Sequence, residues 1–163
     1  SLNRLKDVLN SETNKYKKIY YKDRLKENVE SFISFLFDKN IGEELVKNSE
    51  IKGKYPYHKI INNNKQIGMI VKDKGMISLT LDGAKILFDN KKNIVEISDD
   101  FHLKGSVFAP GIINADKNIR IGDEVVIIKN NKIVGVGSAL MYGSEMKELA
   151  YGEAVKMRHI IKD

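Results

Sequence analysis

Between Gly105 and His159 short apolar runs alternate with glycine-centred turns, and this pattern limits the fold more than any other feature of the chain. Val125 to Ile128, Ile133 to Val136 and Ala154 to Met157 are the runs, and the turns recur at roughly 8 to 12 residues, the spacing of a small barrel of short strands. A barrel closes its own edges and needs no further sheet to cover them. Within it Gly135-Val136-Gly137 lacks the third glycine of a dinucleotide loop and reads as a close backbone approach.

Read in order, the phrases are Gly105-Ser106-Val107-Phe108-Ala109-Pro110-Gly111, Asn114-Ala115-Asp116, Ile121-Gly122-Asp123-Glu124-Val125, Gly135-Val136-Gly137-Ser138-Ala139 and Gly152 to His159. Together they resemble the PUA domain, a small pseudo-barrel that binds structured RNA in pseudouridine synthases and archaeosine transglycosylases. Gly122-Asp123-Glu124-Val125 and the closing Ala154-Val155-Lys156-x-Arg158-His159 are similar to the archaeosine branch. Asn93 to Ile97 is expected as the first strand, Ser98 to Leu103 and Ser144 to Leu149 as short helices, and Ala154 to Ile161 as the last strand.

Upstream, Leu2, Leu5, Val8 and Leu9 have helical spacing up to an interruption at Asn10-Ser11. Lys15 to Lys22 interleaves basic and aromatic side chains, which fits two readings: a face that follows phosphates and stacks on bases, or a helix with tyrosines inward and lysines solvated. From Asp23 a longer helix carries Leu25, Val29, Phe32, Ile33 and Leu36 on one face, and Phe35 and Phe37 widen that stripe. Asn40-Ile41-Gly42 is expected to end it, with a short helix from Glu43 to Lys47. Tyr57–Ile61 and Gln66–Val71 form a predicted hairpin, followed by a turn at Asp73-Lys74-Gly75, a strand from Met76 to Leu81 and a helix from Asp82 to Phe88.

This middle block carries Gly42-Glu43-x-Leu45, Lys74 to Thr80 and Leu81-Asp82-Gly83-Ala84-Lys85, and it resembles the domain that precedes the PUA domain in archaeosine transglycosylases and archaeosine synthase. With Asp89 to Asn93 as linker, the expected division is a helical lead-in over residues 1–38, a small α+β domain over 39–92 and the PUA pseudo-β-barrel over 93–163, an α+β fold throughout.

At 163 residues, with 42% hydrophobic and 31% charged residues, the composition is that of a soluble globular protein, expected in the cytoplasm with no membrane partner. The chain opens on Ser1-Leu2 with no initiator Met and no signal peptide, which fits a split subunit or a piece of a longer chain. No cysteine means no disulfide, thiolate metal site or cysteine nucleophile. A net charge of +6 favours a polyanionic partner, and the excess is concentrated partly in residues 1–26.

Catalytic signals are absent. His58, His102 and His159 show no metal spacing, and Asp123-Glu124 would point to opposite faces of a strand. The resemblance implies catalytic aspartates on a large (β/α) barrel with a cysteine-rich zinc site in the transglycosylases and a Pro-Cys motif in the synthase core, and none has a counterpart here. It therefore implies a noncatalytic tRNA-binding subunit without metal or cofactor, holding tRNA for a separate catalytic protein, with no DNA target. PUA domains receive RNA between the glycine-rich segment and the final strand. That assigns Lys104, Gly105, Ser106, Phe108, Pro110 and Gly111 to one side and Lys156, Arg158 and His159 to the other; Val107 and Phe108 compete between core and surface. Lys156 and Arg158 share parity and are expected to point the same way. Two rivals accompany this reading: a compact synthase-like enzyme modifying 7-cyano-7-deazaguanine in tRNA with Asp82, Lys85, Asp99 and Lys104, and a PUA-bearing translation factor.

Overall fold

The structure is a computed structural model that describes residues 2–162; the side chains of Lys18 and Ile19, two members of the basic and aromatic stretch, lie outside the described residues. Helix α1 runs unbroken from Leu2 to Leu36, which corrects the interruption expected at Asn10-Ser11. No Gly or Pro precedes Gly42, and Thr13 Oγ1 donates to the Leu9 carbonyl at 2.8 Å. The hydroxyl is thus satisfied on the helix instead of drawing the backbone away from it. Only the last turns enter a core, through Val29 and Ile33, with Phe37 just beyond; Phe35 faces solvent.

The chain turns at Asp38, ahead of the expected break at Asn40-Ile41-Gly42. Asp38 is extended and its Oδ1 accepts from the Ile41 N–H at 2.9 Å, capping α2 (Lys39–Lys47). The three residues read as a breaker therefore lie inside α2, because the cap and not the glycine sets where the helix starts.

Four antiparallel strands follow in sheet order: β1 (Ser49–Lys52), β2 (Tyr57–Asn62), β3 (Lys65–Val71) and β4 (Met76–Leu79). Strand β1 carries a single apolar side chain, Ile51, and has no periodicity to announce it. The β2–β3 hairpin is the expected one, turned by Asn63 and Asn64 with φ of 47° and 61°, the left-handed pair that a two-residue hairpin loop requires. Helix α3 (Leu81–Asp89) starts from Thr80, whose hydroxyl accepts from Gly83 N–H at 3.4 Å. A side chain at Gly83 would collide with the Ile67 carbonyl of β3, and Ala84 is fully buried. Small residues in this phrase let α3 lie directly on the sheet.

The second sheet has the order β6-β10-β9-β8-β5-β7, from β5 (Ile94–Ile97), β6 (Ser106–Phe108), β7 (Ile112–Ala115), β8 (Glu124–Lys129), β9 (Lys132–Ala139) and β10 (Glu153–Ile160). All pairings are antiparallel except β5 with β8. The edge strands β6 and β7 are joined by the 3-10 turn Ala109–Gly111, so the sheet curls on itself into a pseudo-barrel. The close approach inferred from Gly137 is present: a Cβ there would meet the Lys156 carbonyl.

Two local expectations are corrected here. Residues from Ser98 to Leu103 make one turn, Phe101 N–H to Ser98 carbonyl at 3.0 Å, and no helix. Ser98 N–H is already bound to the Gly111 carbonyl at 2.9 Å, and the Phe101 ring lies against Gly111; both contacts hold the segment on the barrel end. Helix α4 spans only Gly143–Met146, anchored by the fully buried Met146.

Strand β8 explains why its sequence is continuously apolar. Val125 and Ile127 face the barrel interior with Val107, Ala139 and Val155. Val126 and Ile128 face the other way and join Val29, Ile33, Leu45, Ile60 and Leu87 in the core beneath the first sheet. Both faces are covered, so alternation disappears. The result is an α+β fold in which one strand serves two cores.

Candidate nucleic-acid interface

The two segments expected to flank a groove are neighbouring strands. In the β6–β10 register Phe108 lies opposite Glu153, Val107 opposite Val155 and Ser106 opposite Lys156. Gly105 continues the pairing through its carbonyl, which accepts from Met157 N–H at 3.0 Å. Alternation then sorts the side chains: Val107 and Val155 are fully buried, while Phe108 is 50% exposed. Val107 belongs to the core and Phe108 to the surface. Ser106 Oγ is hydrogen-bonded to Glu153 Oε1, which fixes the carboxylate on this face and leaves the exposed Lys104 and Lys156 as its free positive side chains. Pro110 is exposed in the 3-10 turn, and Gly111 is buried beneath Phe101.

Arg158 is used differently. A bulge between Met157 and His159 makes it the extra residue of β10. Its guanidinium forms an ion pair with Glu124, whose side chain is 1% exposed, while its own is 32% exposed. Its Nη2 donates to the Leu79 carbonyl at 3.4 Å and its Nη1 to Ser138 Oγ at 3.5 Å. Glu124 Oε1 also accepts from Leu79 N–H at 2.8 Å. Burial lowers the Arg158 pKa from its ordinary value, and pairing with a carboxylate compensates the lost hydration. The shared parity of Lys156 and Arg158 holds, but Arg158 is occupied in tying the end of β4 to the barrel. His159 is exposed beside it.

Asp123 stands apart from this pair. It precedes β8 and its Oδ2 accepts from Arg120 N–H at 2.8 Å, with desolvation raising its pKa. Among the described residues no three His, Asp or Glu side chains assemble as a metal set. Asp82 and Lys85 form an exposed pair at 3.3 Å on α3.

Next to the β6–β10 face is a cleft of about 380 Å³ where the chain enters β6 and leaves β10, lined among others by Phe101, His102, Lys129 and Lys162. Sequence reasoning did not assign these residues to the interface. His102 and Lys162 flank the two predicted segments, so proximity to β6 and β10 would have found them. Lys129 lies at the far end of β8, its Nζ donating to the Phe101 carbonyl at 3.3 Å, and only the folded chain brings it here.

A family model for the PUA domain matches residues 91–161. The archaeosine synthase subunit alpha of Methanosarcina acetivorans is 38% identical over 127 residues, covering 78% of this chain and 19% of that protein. Archaeosine synthases or their alpha subunits from four further archaea match at 34–40% identity. Residues 91–161 thus carry a PUA domain, and the chain is similar to the PUA-containing region of the archaeosine synthases. It spans 19–28% of the length of these relatives. An uncharacterized protein of Methanocaldococcus jannaschii, 36% identical, is covered over 82% of its own length and matches 78% of this chain. A conserved PUA domain protein from Thermoplasma acidophilum superimposes with a TM-score of 0.59 at 21% identity, over 87% of this chain and 91% of that one; the two share the fold. Among the described residues no helix is long and apolar enough to cross a membrane.

Proposed function

We propose that this PUA protein is the tRNA-binding subunit of an archaeosine-forming modification system in the archaeal cytoplasm, holding tRNA for a separate catalytic protein. One observation carries the reading: the region that matches the archaeosine synthases presents Lys104, Lys156 and Phe108 together on an open strand pair. Glycine at 105 leaves that edge free of a side chain, so a sugar-phosphate backbone can approach it closely. Lys104 and Lys156 supply phosphate contacts, and Phe108 offers a stacking surface. Subunit naming among the relatives supports a catalytic partner. The division at residues 38/39 and 92/93 belongs to the same proposal, with the final unit as the RNA grip.

The experiment is tRNA binding by the intact chain over a salt series, with and without the 3′ CCA end. Binding that weakens when CCA is removed, yet retains a salt slope of several charges, is the expected result. Absence of binding to either tRNA at low salt, alone or with a synthase partner, sinks the proposal.

A further inference from the structure

The strongest unassigned feature lies beside the first sheet, where α1 passes the start of β2. A cleft of about 400 Å³ opens there, within the range of about 300–1,000 Å³ in which proteins hold small molecules. Its walls carry Tyr20 and Tyr21 from α1 and Tyr55 from the loop before β2. All three rings are largely exposed, between 64% and 70%. Two cations border it, Arg24, whose guanidinium lies 5.8 Å from the Tyr20 ring centre, and Lys72 at the end of β3. His58 also lines it, with Leu25 and Asn28. It is 3% exposed, and its Nδ1 is buried with no hydrogen-bond partner among the described residues.

These features are costly without a ligand. Three exposed tyrosines gathered around one cavity forgo burial, and an orphaned buried nitrogen gives up the hydrogen bond it makes to water in the unfolded chain. A hydrophobic helix or peptide would pair poorly with Arg24, Lys72 and an unsatisfied imidazole. A nucleotide matches each element: a flat base for the tyrosine rings, a phosphate for the two cations and a polar base edge for the imidazole. The stretch Lys15 to Lys22 supplies Tyr20 and Tyr21, so two of its three tyrosines line the cleft, whereas Tyr16 stands exposed outside it.

We infer that the α1–β2 cleft is a second RNA contact that takes one unstacked nucleotide of single-stranded RNA, its base on Tyr20, Tyr21 and Tyr55, its phosphate between Arg24 and Lys72, and its base edge at His58 Nδ1. The inference rests on the tRNA-binding reading but uses none of the residues of the β6–β10 face. It gives the molecule two grips, one on each sheet. Desolvation, with Lys72 adding to it, lowers the His58 pKa and holds the ring neutral, so one ring nitrogen remains an acceptor.

The test compares the full chain with a Tyr55→Ala, Lys72→Gln double variant, both positions lying at the rim where folding is spared; thermal melts check this. Two probes are used: a tRNA transcript and a six-residue oligoadenylate. The variant is expected to lose about tenfold in affinity for oligoadenylate, the loss of one stacked base, and to lower the tRNA salt slope by about 1. In the parent, oligoadenylate shifts the His58 ring signals among the three histidines read by NMR. A parent that binds tRNA, with the variant unchanged for both probes and His58 signals unmoved, overturns the cleft while leaving the tRNA-binding reading in place. A parent that binds neither probe overturns both. Loss of oligoadenylate binding in a Lys104→Gln, Lys156→Gln variant but not in the cleft variant also overturns it.

Discussion

Midway along β10 Lys156 stands in solvent opposite Ser106, whereas two residues on Arg158 is drawn against the buried carboxylate of Glu124. The same strand face carries both cations, so their difference arises from what lies across from them. Opposite Lys156 is the edge strand β6 and then open water. Opposite Arg158 is the end of β4, where Leu79 offers both its N–H and its carbonyl to the pair. Charge on the open face remains available to a polyanion; charge at the joint is consumed in holding two sheets together.

Removing the joint has the largest expected effect. Arg158→Ala strands the Glu124 carboxylate at 1% side-chain exposure, and unfolding in urea should show a loss of about 3 kcal/mol. If this variant instead kept its stability and lost tRNA binding, Arg158 would belong to the open face. Gly83→Ala comes next, at about 1–3 kcal/mol, because the new methyl meets the Ile67 carbonyl and must push α3 off the sheet. It weakens the packing beside the joint and should leave the tRNA salt slope unchanged.

The converse variant is Lys104→Gln with Lys156→Gln. Both side chains are exposed, so stability should stay within about 0.5 kcal/mol. The slope of log affinity against log salt for tRNA should fall by up to about 1.8, two phosphate contacts at about 0.9 each. An unchanged slope would mean that these lysines are only a solvated barrel face.

What could be read from sequence divides along the same line. Local chemistry was legible: Asn63-Asn64 turned its hairpin, Gly137 marked a close approach, and the phrases from Gly105 to His159 led to the PUA barrel. Parity along β10 correctly placed Lys156 and Arg158 on one face. The partner of Arg158 was not legible, because Leu79 lies 79 residues away and reaches it only through the packing of two sheets. Glu124 sat in a recognised phrase and was read only as pointing to the opposite strand face from Asp123, which does not say that its face is buried. Helix α1 hid the cleft for a similar reason. An interruption at Asn10-Ser11 separates Tyr20 and Tyr21 from any defined direction, whereas a continuous helix carries them over β2 and Tyr55.

His58 offers a third way to treat a charge, which is to refuse it, and the smallest expected effect tests that. Desolvation, with Lys72 adding to it, holds the His58 pKa below its ordinary 6.5 in the folded protein. The unfolded imidazole, near 6.5, therefore takes up a proton first as the solution is acidified. More protons on the unfolded chain mean that stability rises with pH in that interval. The contribution is complete above about 6.5 and declines from there down to the folded-state value. Melting temperature followed from pH 7.5 to 5.5 should fall more steeply for the parent than for a His58→Asn variant, which has no proton to gain. Equal slopes would mean that His58 is protonated as easily in the fold as out of it, and that Lys72 and burial do not set its charge.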